Sequence, residues 1–230
     1  MEKPLKMLRF IFISLLLLSG SYVLKGQVVE LQKQPPKGFT LGVNLAGPIN
    51  KFFDDGRSGI SFLSRMSLKS PYSLLAEVGY ENVLFENSRY RYSSNGTFFK
   101  AGVEYDVFAE KETGSNDNLL FGLHYGYAIQ EQEASSFTIE NSYWGDYTGR
   151  LGVYSVNTHW IELSGGPRME LLKNFYMGWT LQIKLALYRD NPDILSPYLI
   201  PGFGNGDNRI NLGFSYSVEY MIPWSKSDKK

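Results

Sequence analysis

Two long segments near the end of the chain alternate apolar and polar residues, and that period of two rules out most folds. In Ile210 to Ile222, residues Ile210, Leu212, Phe214, Tyr216, Val218, Tyr220 and Ile222 share one face, while Asn211, Gly213, Ser215, Ser217, Glu219 and Met221 share the other. Upstream, Phe175, Met177, Trp179, Leu181, Ile183, Leu185 and Leu187 alternate with Tyr176, Gly178, Thr180, Gln182, Lys184, Ala186 and Tyr188. Side chains alternate across a strand, whereas a helix of period 3.6 would scatter both sets around its circumference. Each segment exceeds the roughly 9–11 residues that a tilted strand needs to cross a bilayer.

Weaker copies of the pattern run through Gly38–Gly47, Gly59–Leu68, Tyr72–Glu81, Thr97–Phe108, Leu119–Glu131 and Asn157–Leu171. With the last two segments they predict an all-β fold: an antiparallel, transmembrane-type β-barrel of about eight strands over residues 38–224. The connections fit it. If the first strand runs upward, the lower connections are Lys69–Pro71, Ala109–Asn118 and Leu172–Lys173. The upper ones, Pro48–Ser58, Asn82–Gly96, Gln132–Val156 and Arg189–Asn208, are all longer. Short turns on one side and long loops on the other are the habit of membrane barrels. Gly165-Gly166-Pro167 interrupts the sixth strand, and proline cannot donate to a ladder, so a bulge or break is expected there.

The first 26 residues read differently. Lys3, Lys6 and Arg9 precede an apolar run from Phe10 to Leu18, then the small residues Ser19, Gly20 and Ser21. That is the layout of a secretory signal peptide, and the run is short for a membrane-spanning helix. The alternative is an uncleaved anchor. Residues 27–37 then form a periplasmic leader and 225–230 a C-terminal tail. A signal peptide ahead of a barrel predicts the outer membrane of a two-membrane bacterium.

Alternation alone does not say which face meets lipid, since soluble ligand-carrying barrels also alternate. Glycine decides. Gly42, Gly79, Gly102, Gly122, Gly126, Gly178 and Gly213 all fall on the polar face. Inside a narrow barrel they make room for long side chains opposite; on a wet outer face they would only weaken the strands. The polar face is therefore the interior. The expected lumen network is Arg65, Glu77, Glu81, Lys100, Glu104, Asp106, His124, Gln130, Trp160, Glu162, Arg168, Glu170, Gln182, Lys184 and Glu219. The expected lipid face includes Phe175, Met177, Trp179, Leu181, Ile183, Leu185, Leu212, Phe214, Tyr216, Val218, Tyr220 and Ile222. A one-residue slip would turn Lys184 and Glu219 toward lipid, where a midplane Lys alone costs about 2–4 kcal/mol.

Catalytic signatures are sparse. The chain has no cysteine, and its 23 basic residues balance 23 acidic ones, so neither thiol chemistry nor a nucleic-acid partner is indicated. His159 and Glu162 are three apart, on opposite faces of a strand, and cannot share a metal. His124 reads as a lumen residue and His159 as a rim residue facing lipid or headgroups. Gly202, Gly204 and Gly206 precede no helix pattern, so they mark a loop rather than a dinucleotide fingerprint. Asp54-Asp55-Gly56 and Asp190-Asn191-Pro192-Asp193 read as solvated turns before they read as cation sites. No catalytic residue, metal or cofactor is assigned. The expected role is a non-enzymatic surface or envelope protein acting through its long loops, with an unidentified external ligand. The rivals are a rim-sited lipid-modifying enzyme built on His159 and a soluble periplasmic barrel carrying an apolar ligand.

Several stretches resemble an uncharacterised family of the Bacteroidota, catalogued as a domain of unknown function and regarded as outer-membrane-barrel-like. They are Thr158-His-Trp-Ile-Glu162, Met169 to Trp179, Pro201-Gly-Phe-Gly204, Gly213-Phe-Ser-Tyr-Ser217 and Tyr220-Met-Ile-Pro-Trp224. Tyr90 to Gly96, Lys100-Ala-Gly102 and Gly42 to Pro48 resemble its earlier parts, while Gly166-Pro167 departs from its pattern. The resemblance implies the barrel and brings no activity. The last strand, with Tyr216, Val218, Tyr220, Ile222 and Trp224 in one parity, is similar to the signal read by the barrel-insertion machinery.

Overall fold

The computed structural model of the chain describes residues 38–53, 55–87, 90–109, 116–139, 143, 145–190 and 196–224. The expected signal peptide, leader and C-terminal tail, with Asp54 and Asn191 to Asp193, lie outside them. Eight strands close into an antiparallel barrel: β1 Gly38–Asn44, β2 Arg57–Ser67, β3 Tyr72–Glu86, β4 Tyr90–Asp106, β5 Asn118–Ile139, β6 Tyr147–Leu172, β7 Phe175–Arg189 and β10 Ile210–Pro223. Each strand pairs with its neighbour in sequence, and β1 closes the ring on β10, from Gly38 opposite Pro223 to Asn44 opposite Ser217. Between β7 and β10, β8 Leu199–Ile200 and β9 Gly204–Asn205 form a two-stranded sheet of their own. The end carrying Gly38 and Pro223 is called lower below.

The wall is inverted relative to a soluble protein. Leu41, Phe62, Leu74, Val103, Leu123, Leu163, Leu181, Ile183, Leu212 and Phe214 are exposed, while Glu77, Lys100, Glu104, Glu162, Arg168 and Glu219 are buried. Period-two alternation makes this possible, because one strand then serves two solvents. Exposed aromatics collect at both ends of the apolar belt. Tyr72 and Tyr105 meet edge to face at 5.6 Å below, and Tyr80, Tyr125 and Tyr188 stand above.

The upper connections differ from the sequence expectation. Residues 82–96 and 132–156 are not open loops. β3 and β4 stay paired up to Glu86 opposite Arg91, and β5 and β6 up to Ile139 opposite Tyr147. One side of the barrel therefore rises as a wall of β3 to β6, and β6 reaches 26 residues. A helix, α1 Ala46–Phe53, replaces the end of the first strand expected over Gly38–Gly47 and the start of the 48–58 connection. Asn44 Oδ1 accepts the Ala46 N–H at 3.0 Å, and Pro48 sits in the first turn, where a missing N–H costs nothing. At Pro167 the strand does not stop. β6 stays paired with β5, Leu119 facing Pro167, and only the ladder to β7 is interrupted, between Gly165–Leu181 and Arg168–Gly178. A Cβ on Gly166 would lie 2.0 Å from the Trp179 carbonyl oxygen, so the backbones approach closely where the ladder is broken.

Candidate functional site

The lower and middle interior is filled by charge. Lys100 Nζ bonds Glu77 at 2.7 Å and Glu162 at 2.9 Å. Arg65 binds Glu104 through Nε at 2.5 Å and also holds Glu219, which Arg168 Nε reaches at 2.7 Å. His124 stands between the two groups, Nδ1 3.5 Å from Glu162 and Nε2 3.9 Å from Glu104. Asn44 and Ser61 donate to Glu77 at 3.0 and 2.7 Å, and the Arg168 guanidinium lies 3.6 Å from the centre of the Tyr176 ring. Buried charges persist only when paired and hydrogen-bonded, and here strands far apart in sequence supply both partners.

Glycine makes the room. A Cβ on Gly126 would lie 2.0 Å from the Trp160 ring, and one on Gly102 would lie 2.6 Å from the His124 ring. Three residues of the expected network lie toward the ends. Asp106 accepts from Phe108 N, Asn118 Nδ2 and Leu119 N, and Glu170 from Asn116 and from Asn174 N; both hold lower turns. Glu81 sits near the top with Arg57 at 3.0 Å. Gln130 and Gln182 are buried on the interior face.

The upper interior is filled differently, by a feature absent from the sequence reading. The loop carrying β8 and β9 drops into the barrel mouth. Ile200 and Phe203, 0% and 1% exposed, pack with Phe98, Ala128 and Trp160 into an apolar cluster. Gly202 lies between two walls: its N–H donates to Glu81 Oε1 at 3.2 Å and its carbonyl accepts from Lys184 Nζ at 2.7 Å. It has φ of +70°, and a Cβ there would lie 2.5 Å from the Phe98 ring, so glycine is required twice over. The Pro-Gly-Phe-Gly motif is thus a plug. Lys184 has no carboxylate within salt-bridge distance among the described residues, and the plug carbonyl takes its place.

On the outside, Phe175, Met177, Trp179, Leu181, Ile183 and Leu185 of β7 share the outward parity with Leu212, Phe214, Tyr216, Val218, Tyr220 and Ile222 of β10. Tyr188 departs from the sequence expectation of an inward side chain. A bulge between His159–Tyr188 and Trp160–Ala186 leaves Leu187 extra, so Leu187 and Tyr188 both turn out, 53% and 58% exposed. His159 also faces out, its Nδ1 2.5 Å from the Tyr125 hydroxyl.

Neither histidine completes a nucleophilic site. Ser164 Oγ and Glu162 Oε1 both lie 3.5 Å from His124 Nδ1, and the carboxylate facing the other nitrogen, Glu104, stands 3.9 Å away, beyond hydrogen-bond distance, so no serine–histidine–carboxylate relay is formed. No serine bonds His159, and no group of metal-ligating side chains occurs, among the described residues.

A family model described as a domain of unknown function (DUF6048) matches residues 7–227. No curated protein matches the chain. Among solved structures it is similar to Ail, the attachment invasion locus protein of Yersinia pestis (7% identity, TM-score 0.40, covering 82% of this chain and 98% of that one). It is also similar to the N-terminal β-barrel domain of Pseudomonas aeruginosa OprF (14%, 0.36, 83% and 100%) and to Acinetobacter baumannii CarO2 (13%, 0.33, 83% and 100%).

Proposed function

Because the chain belongs to the DUF6048 family, a membership that carries no activity, we propose its role from the barrel itself: an integral outer-membrane protein of a two-membrane bacterium, exported by a cleavable signal peptide and acting without catalysis at the cell surface. One observation carries this reading. The closed wall is apolar outside and charged inside, the polarity that suits a barrel surrounded by acyl chains. Water outside would leave Leu212, Leu181, Phe214 and their neighbours exposed as one continuous belt, far larger than the apolar patches soluble monomers tolerate. The soluble ligand-carrying rival needs an apolar cavity, and the described interior is filled by ion pairs below and by the protein's own plug above.

An eight-stranded barrel filled twice over is a platform rather than a pore. What it presents outward is the tall wall of β3 to β6. Its partners under this reading are outer-membrane lipid, the barrel-insertion machinery during assembly, and a surface ligand that meets the wall. Envelope fractionation with heat-modifiable gel mobility tests it. The protein is expected in the outer-membrane fraction and should migrate anomalously until boiled. Recovery as a detergent-free soluble monomer would contradict it, and stepwise conductance in planar bilayers would contradict the filled lumen.

A further inference from the structure

Among the outward-facing side chains, one group at the upper edge of the apolar belt is organised beyond what a belt requires. The bulge in β7 turns Tyr188 out of the interior parity and sets it beside His159, with ring centres 5.9 Å apart. Bulges often re-aim a side chain next to a site. Tyr127 lies on the other side of the imidazole at 4.6 Å. Polar atoms join around these rings. Tyr127 OH donates to Asn157 Oδ1 at 3.0 Å, Asn157 Nδ2 donates to Asp190 Oδ2 at 2.8 Å, and Tyr188 OH donates to Asp190 Oδ1 at 2.8 Å. Directly below lie Ile161, Leu163, Leu185 and Leu187 of the belt.

We propose that His159, Tyr127, Tyr188 and Asp190 form a binding site for the sugar headgroup of a glycolipid in the outer leaflet. The proposal rests on the membrane reading above. Position supplies the first argument: a ligand here has its tail on the belt and its head on the rings. Charge supplies the second. Arg189, Arg209 and Asp207 line a shallow cavity of about 290 Å³ with Leu187 and Tyr188, and Asp190, which accepts from the Tyr188 hydroxyl beside it, supplies a second carboxylate, so two acids balance two bases around Tyr188. A site without net charge selects neither a bare phosphate nor an ammonium. Its recognition elements are aromatic faces bordered by groups that both donate and accept, and these match a sugar's C–H faces and hydroxyls. His159 Nε2 has no partner among the described residues, so it is free to bond a hydroxyl. The hydrogen bonds among Tyr127, Asn157, Asp190 and Tyr188 hold the rings in place before the lipid arrives, which lowers the ordering cost of binding.

The test uses the full-length mature protein in lipid discs of phosphatidylethanolamine and phosphatidylglycerol containing monogalactosyl diacylglycerol. Lipids retained after detergent exchange are quantified by mass spectrometry. The wild type should retain the galactolipid about fivefold over either phospholipid, the worth of one or two net hydrogen bonds. His159→Ala and Asp190→Ala should bring that ratio to about one while unboiled gel mobility stays native. Tyr105→Ala, at the lower belt, should leave the preference intact. Equal retention of either phospholipid by the wild type overturns the site, as does loss of preference in Tyr105→Ala, which would mark a generic aromatic belt. A protein that fails to enter the discs overturns the membrane reading instead, so the two failures are distinct.

Discussion

The lower and upper halves of the barrel interior solve the same problem with different chemistry. Below, the wall fills itself: Arg65, Lys100 and Arg168 meet Glu77, Glu104, Glu162 and Glu219 across the lumen. Above, a loop brings Ile200 and Phe203 down onto Phe98 and Trp160. The ionic half is stable only while every charge keeps its partner, because an orphaned charge cannot reach water. The plugged half depends on shape and on two clamps at Gly202, and it is made of a segment able to open locally without unravelling the ladders. The contrast teaches that stability and accessibility are separated along the barrel axis, with the mouth as the softer end.

The largest effect should come from breaking the ionic half. Glu219→Ala leaves Arg168 without a carboxylate and takes one of the two from Arg65, which keeps Glu104, and should lower the unfolding free energy by about 3–5 kcal/mol, measured as the shift of the urea midpoint in detergent. Phe203→Ala removes comparable packing, about 3 kcal/mol, but from the plug. It should expose 196–209 to protease while the barrel midpoint moves far less; equal midpoint shifts for the two variants would erase the distinction between the halves. Gly126→Ala drives a methyl into Trp160, where the two halves meet, and should cost about 1–3 kcal/mol as overpacking. The smallest effect concerns the rim, outside both halves. Hydrogen bonds from Tyr188 and then Asn157 hold the Asp190 carboxyl below its ordinary value, with a minor contribution from nearby His159. The stabilisation of a depressed carboxylate is present above its unfolded value and lost as pH falls through the folded one. The carboxyl carbon signal of Asp190 should therefore titrate below the ordinary value of about 3.9; a midpoint above it would contradict the hydrogen bonds described.

The ionic half was legible in the sequence and the plug was not, for physical reasons. A strand that faces two solvents writes both into a period of two, so Lys184 and Glu219 declare their side against Ile183 and Val218. Glycine adds the size information: Gly126 and Gly102 leave the space that Trp160 and His124 occupy. A loop has no period. Nothing local says that Pro201 to Gly204 turns inward, because the reason lies in Phe98, Glu81 and Lys184 on three other strands. Tyr188 shows how fragile parity is, since one extra residue at Leu187 reverses everything after it. The tall wall leaves no periodic mark in the sequence, because residues 132–156 contain many polar residues. Those residues extend β5 and β6 above the belt, where one face carries Glu131 and Glu133 and the buried face alternates Gln130 and Gln132 with Ala134, so neither face shows an apolar stripe to read. The short helix at Ala46–Phe53 escaped because Gly47-Pro48 reads as a turn.

The outward direction of the apolar face underlies both fillings of the lumen, and the absence of cysteine makes a direct measurement clean. Single cysteines at positions 180 to 185 and 211 to 215 would each carry a spin label in the reconstituted protein, with collision rates measured against dissolved oxygen and a water-soluble nickel chelate. High oxygen accessibility at 181, 183, 185, 212 and 214, alternating with low values at 180, 182, 184, 211, 213 and 215, is the predicted result. High nickel accessibility along the same outward positions, with no oxygen preference, would contradict it.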